Sequence, residues 1–75
     1  MDLERLRHQI KLAVLRQQTA RLAVRLFELA NNRTEIDEIS KWVEYSNRAT
    51  SEAEIHAANH ELAKLLHAKN PPFNT

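Results

Sequence analysis

Apolar positions recur along the chain at three- and four-residue spacing and never alternate, which is the periodicity of helices and not of strands. The first stretch, residues 2–31, carries two such rows. Leu3, Leu6, Ile10, Ala13, Ala20, Val24 and Phe27 form one seam, interrupted by Gln17; Leu12, Leu15, Leu22, Leu26 and Leu29 form another, interrupted by Thr19. The offset from Leu3 to Leu12 rotates about 180° around a helix, so the two seams lie on opposite sides. Asp2 and Glu4 place negative charge where a helix begins, and Asn31-Asn32 marks its end.

A second helix, over residues 34–48, is signalled by Thr34 with Glu35, Asp37 and Glu38 in its first turn and by the row Ile36, Ile39, Val43. Ser51-Glu52-Ala53-Glu54 has the form of a capping box and opens a third, over residues 51–69, with the row Ile55, Ala58, Leu62, Leu65, Leu66. Neither Gly nor Pro separates these two helices. The phase nevertheless predicts a break, because the step from Val43 to Ile55 turns the apolar face by about 120°. Asn70-Pro71-Pro72 ends the third helix, since both prolines lack a donor and disfavour helix in the residue before them. The expectation is one helical domain over residues 1–70 and a short tail, 71–75, whose Phe73 folds back onto the bundle.

A helix with two apolar sides needs cover on both. Twenty-nine helical residues would extend about 43 Å, whereas a compact chain of this size is only about 30 Å across. The expected architecture is therefore all-α. A long N-terminal helix packs on two shorter ones through one seam and dimerises into a helical bundle through the seam Leu3, Leu6, Ile10, Ala13, Ala20, Val24 and Phe27. The alternative is a monomeric three-helix bundle with the first helix at its centre.

Composition narrows the functions. The 75 residues include no Cys and no Gly, so disulfides, thiolate metal clusters, phosphate-cradling loops and nucleophile elbows all lack their usual residue. No apolar run is long enough to span a bilayer and the opening residues lack a signal-peptide core, which points to the cytoplasm. The net charge of +1 hides an asymmetry: residues 1–33 hold seven Lys and Arg against three acids, and residues 34–75 hold four against seven. On the helical wheel Arg7, Lys11, Arg21 and Arg25 share one flank of the first helix, with Gln18 among them. Three readings compete for that flank: a solvated side whose bases pair with acids of the second helix, a ridge that tracks nucleic-acid phosphates, and a ridge for an acidic protein groove.

Candidate chemistry is sparse. His56 and His60 stand one helical turn apart with His67 on the same side, but no third ligand follows a recognised pattern, so no metal and no cofactor are expected. Trp42 and Tyr45 are the large amphipathic aromatics, a residue type favoured as interface anchors. Leu6-Arg7-His8-Gln9-Ile10 resembles the opening helix of the all-helical chorismate mutases. The acidic residues that follow in that family are replaced here by Lys11 and Val14, so the resemblance implies no active site. The expected function is a non-enzymatic regulator (an inhibitor, adaptor or anti-activator) that binds a partner protein as a homodimer through Arg7, Lys11, Arg21, Arg25, Trp42 and Tyr45. The second choice is a nucleic-acid-binding dimer using the same basic flank.

Overall fold

The computed structural model describes residues 2–69; Phe73 and the rest of the expected tail lie outside them. Three helices make up the described chain, with no strand: α1 (Leu3–Leu29), α2 (Arg33–Arg48) and α3 (Glu52–Lys69). Each start has a chemical cause. Asp2 Oδ1 accepts the backbone N–H groups of Glu4 and Arg5 at 3.1 and 3.2 Å, satisfying two donors that a helix N-terminus leaves unpaired. α2 is capped by Asn32, not started by Thr34 as the sequence pattern suggested. Asn32 Oδ1 accepts from Glu35 N at 3.0 Å, and Glu35 Oε1 accepts from Asn31 N at 2.7 Å. Asn caps as well as Thr does, and only Asn32 has a Glu three residues on to return the bond.

The Ser51 capping box forms as its spacing predicts. Ser51 Oγ accepts Glu54 N at 3.3 Å, while Glu54 Oε1 accepts Ser51 N at 3.2 Å and Thr50 N at 3.1 Å. α2 and α3 are accordingly separate helices, and the change of stripe phase between Val43 and Ile55 coincides with the extended backbone at Ala49.

α2 returns along α1, and α3 turns back again beside both. Arg16 fixes the second turnabout, at the end of α2: its Nε donates to Ser46 O at 3.3 Å and an Nη to Ala49 O at 2.7 Å. The second seam of α1 faces inward, in two apolar clusters. Leu12 and Leu15 meet Ala49 and Ile55; Ala23 and Leu26 meet Ile39 and Leu62, with Leu22, Trp42, Val43, Leu65 and Leu66 around them. Between the clusters lies a polar node. Ser46 Oγ is 2.9 Å from Thr19 Oγ1, the Thr19 hydroxyl reaches Asn59 Oδ1, and Asn59 Nδ2 donates to Leu15 O at 3.3 Å. All three side chains are buried and every buried side-chain polar atom among the described residues has a partner. Thr19, which interrupts the leucine row, is thus the point where all three helices are hydrogen-bonded together.

The shape is elongated. The radius of gyration is 14.1 Å and the extents are 52 × 27 × 16 Å, against a radius of about 11 Å for a compact chain of this length. The excess comes from α1: every residue from 2 to 11 is exposed, and burial begins only at Leu12. That segment overhangs the body, touching it through His8, whose Nε2 lies 3.2 Å from Thr50 O.

Candidate functional site

With one seam of α1 folded inward, the other is left bare. Leu3, Leu6, Ile10, Val24 and Phe27 keep between 42% and 62% of their surface exposed, and Ala13 and Ala20 are exposed as well. Counting Gln17 with them, the row alternates strictly by three and four from Leu3 to Phe27, a seven-residue repeat. Val14, also exposed, widens the apolar band on one edge.

Beside the band lie Arg7, Lys11, Arg21 and Arg25, all exposed, together with Gln18. None of the four forms an ion pair among the described residues. The pairs that do form are Arg33–Asp37 at 3.1 Å, Lys41–Glu38 at 4.0 Å, Lys64–Glu61 at 3.6 Å and Lys69–Glu35. Of the α2 acids, Asp37 and Glu38 are engaged locally and Glu35 with α3, while Glu44 pairs with no base among the described residues, and the basic flank of α1 keeps its charge uncompensated. Arg16, on the opposite side of the helix from that flank, is spent on backbone carbonyls at the end of α2 instead.

Trp42 and Tyr45 belong to a different part of the surface. Trp42 is half-buried against the second core cluster, donates from Nε1 to Glu38 Oε1 at 3.3 Å and meets Tyr45 edge to face with centroids 5.6 Å apart. The cation over its ring is Lys41, at 4.9 Å, and no hydrogen bond or cation–π contact joins this pair to Arg7, Lys11, Arg21 or Arg25. The six candidate partner-binding residues thus fall into two patches, one on α1 and one on α2.

His56, His60 and His67 are exposed on α3, and no group of three or more His, Cys, Asp or Glu among the described residues is placed to hold a metal. A cleft of about 830 Å³ opens where the ends of the three helices meet, lined by Leu26, Leu29, Ile39 and Leu65 with Glu35 and Lys69 at its rim. Glu38 lines it as well, and Glu35 and Lys69 are bonded to each other. The Lys69 ammonium, and after it the Asn31 N–H, hold the Glu35 carboxyl below the usual Glu range; the Ser51 hydroxyl, then the Thr50 N–H, do the same for Glu54. Both shifts belong to caps and helix ends, and no nucleophile with a neighbouring base accompanies either.

Two features escaped the sequence pattern. The Thr19–Ser46–Asn59 node left one trace, the polar break in the leucine row. The seven-residue regularity of the outer seam becomes visible once Gln17 is counted as a member and not as an interruption. No protein-family model, curated protein or solved structure matches this chain, so the functional reading rests on its own geometry. No helix among the described residues is long and apolar enough to cross a membrane.

Proposed function

We propose that this chain is a small non-enzymatic helical regulator that pairs with a second copy of itself through the outer seam of α1 and binds an acidic partner protein through the adjoining basic flank. The observation that carries the reading is the bare seam, running from Leu3 to Phe27 along the 27-residue α1, beside four bases without a counter-charge among the described residues. Exposed apolar bands of this extent are rare on monomers and mark association surfaces. A flank of uncompensated charge next to such a band steers and orients a partner of opposite sign.

Leu6→Glu with Val24→Glu tests the pairing. Both positions are exposed, so the protomer should keep its helical spectrum while sedimentation shifts from dimer to monomer. A wild-type chain that sediments as a monomer at micromolar concentration refutes it. The partner is tested by affinity capture from the native host with wild type and Arg21→Glu/Arg25→Glu. A protein retained in stoichiometric amount after nuclease treatment, and lost with the double variant, supports the regulator. Nuclease-sensitive retention transfers the flank to nucleic acid, where neutralised phosphates would give a steep salt dependence.

A further inference from the structure

We infer that the two copies pair antiparallel, about a two-fold axis beside Leu15, so that the basic flanks of both chains lie on the same side of the dimer. The inference rests on the pairing proposed above and adds its register and direction.

Size along the seam decides the direction. The row reads Leu3, Leu6, Ile10, Ala13, Gln17, Ala20, Val24, Phe27: bulky at both ends and small in the middle. In parallel register each residue meets its own copy, which sets Ala13 against Ala13 and Ala20 against Ala20 and leaves two underfilled layers on either side of Gln17. Antiparallel register about Leu15 sets Leu3 opposite Phe27, Leu6 opposite Val24, Ile10 opposite Ala20 and Ala13 opposite Gln17. Every alanine then faces a long side chain, which is how layers reach interior density without voids. The antiparallel order also aligns the two helix dipoles favourably.

The overhang points the same way. Residues 2–11 receive almost no cover from their own chain, and a helical segment so short is marginal in water by itself. In antiparallel register Leu3, Leu6 and Ile10 rest on Ala20, Val24 and Phe27 of the other copy, the part of α1 already braced by α2 and α3. The occupant must also be as long as α1 to cover the seam. A contact band half the girth of a 40 Å helix buries about 700 Å² per copy, close to the roughly 800 Å² per partner of a stable interface. A second α1 meets that length with a matching pattern.

One consequence is geometric. In an antiparallel pair the same edge of each helix faces the same side. Arg7, Lys11, Arg21 and Arg25 from both chains therefore merge into one band, whereas a parallel pair would divide them between opposite sides.

The chain has no Cys of its own, which makes the test clean. Leu6→Cys and Val24→Cys are prepared as separate chains, checked for unchanged helicity, mixed and oxidised. Antiparallel pairing brings Cys positions 6 and 24 face to face and holds the two copies of position 6 about 27 Å apart, far beyond the reach of a disulfide. The expected result is a mixed disulfide exceeding the Leu6→Cys self-linked product by about ten-fold or more, given that geometric exclusion. Self-linkage of Leu6→Cys overturns the inference while leaving the pairing intact. Absence of both products in a chain that sediments as a dimer places the contact on another face and overturns it too. Absence of both in a monomer removes the pairing itself.

Discussion

Replacing Thr19 with Val keeps the shape of the side chain and removes one hydroxyl from the point where three helices meet. In the native chain that hydroxyl accepts from Ser46 and donates to Asn59 Oδ1. After substitution Asn59 Oδ1 is left without a donor in a site where all three residues are buried. A buried acceptor stripped of its partner costs about 1–3 kcal/mol. Ser46 can turn its hydroxyl to the carbonyl four residues back on α2, so its own loss is smaller. The expected total is about 2–3 kcal/mol, out of the roughly 4–11 kcal/mol available to a chain of this length. At roughly 4–8 °C per kcal/mol for a small domain, Tm falls by about 10–20 °C. Urea unfolding followed by circular dichroism, with all variants at one protomer concentration, measures the change. Ser46→Ala should cost about 1 kcal/mol, because Thr19 and Asn59 keep each other. The triple variant Thr19→Val/Ser46→Ala/Asn59→Leu should recover most of the loss, since removing a whole polar cluster is far cheaper than orphaning one member. A Thr19→Val chain within about 0.5 kcal/mol of wild type, or a Ser46→Ala chain less stable than Thr19→Val, would refute the assignment of the node as a hydrogen-bonded unit.

Three further outcomes follow from the same geometry. Ser51→Ala removes both a cap on Glu54 N and the hydroxyl bonded to the Glu54 carboxylate; thermal unfolding should show a loss of about 1 kcal/mol. Glu35 and Glu54 are held below the ordinary Glu range in the folded chain, so the unfolded chain binds more protons in acid and the stability they contribute, full above that range, is lost as pH falls through their folded values. Urea midpoints measured down through the acid range should therefore decline less steeply in Glu35→Gln/Glu54→Gln than in wild type, and equal slopes would contradict the assigned shifts. Antiparallel pairing sets the two basic flanks side by side, and their repulsion is screened by salt; the dimer seen by sedimentation equilibrium should tighten as salt is raised from low ionic strength, and weakening instead would count against merged flanks.

Much of the fold was legible because the determinants are local. The capping box at Ser51, the helix start marked by the charge of Asp2 and Glu4, and the phase change between Val43 and Ile55 are each written within a few residues, and each appears in the structure. The start of α2 was misplaced because Thr34 and Asn32 are both good caps and only the position of Glu35 separates them. What holds the second seam of α1 inward is not local at all. Both rows are apolar and each is broken by one polar residue. Thr19 is short enough to be buried and finds Ser46 and Asn59 waiting on the other two helices, whereas the longer amide of Gln17 has no such partners among the described residues and stays outside. That choice depends on residues 27 and 40 positions away, beyond the reach of any periodicity. The candidate surface was half legible for the same reason. The four bases of α1 share a flank by helical geometry alone, while the separation of Trp42 and Tyr45 from them required knowing where α2 lies.

The projecting start of α1 has a consequence for how the chain behaves in company and alone. Its backbone ladder beyond His8 is anchored at one end by the Asp2 cap and is otherwise held only by its continuity with the body. Such a segment opens at little cost without disturbing the rest. Its winding is therefore the cheapest quantity in the protein for an encounter to change, and the association that covers Leu3 and Leu6 would set the length of the rod at the moment of contact.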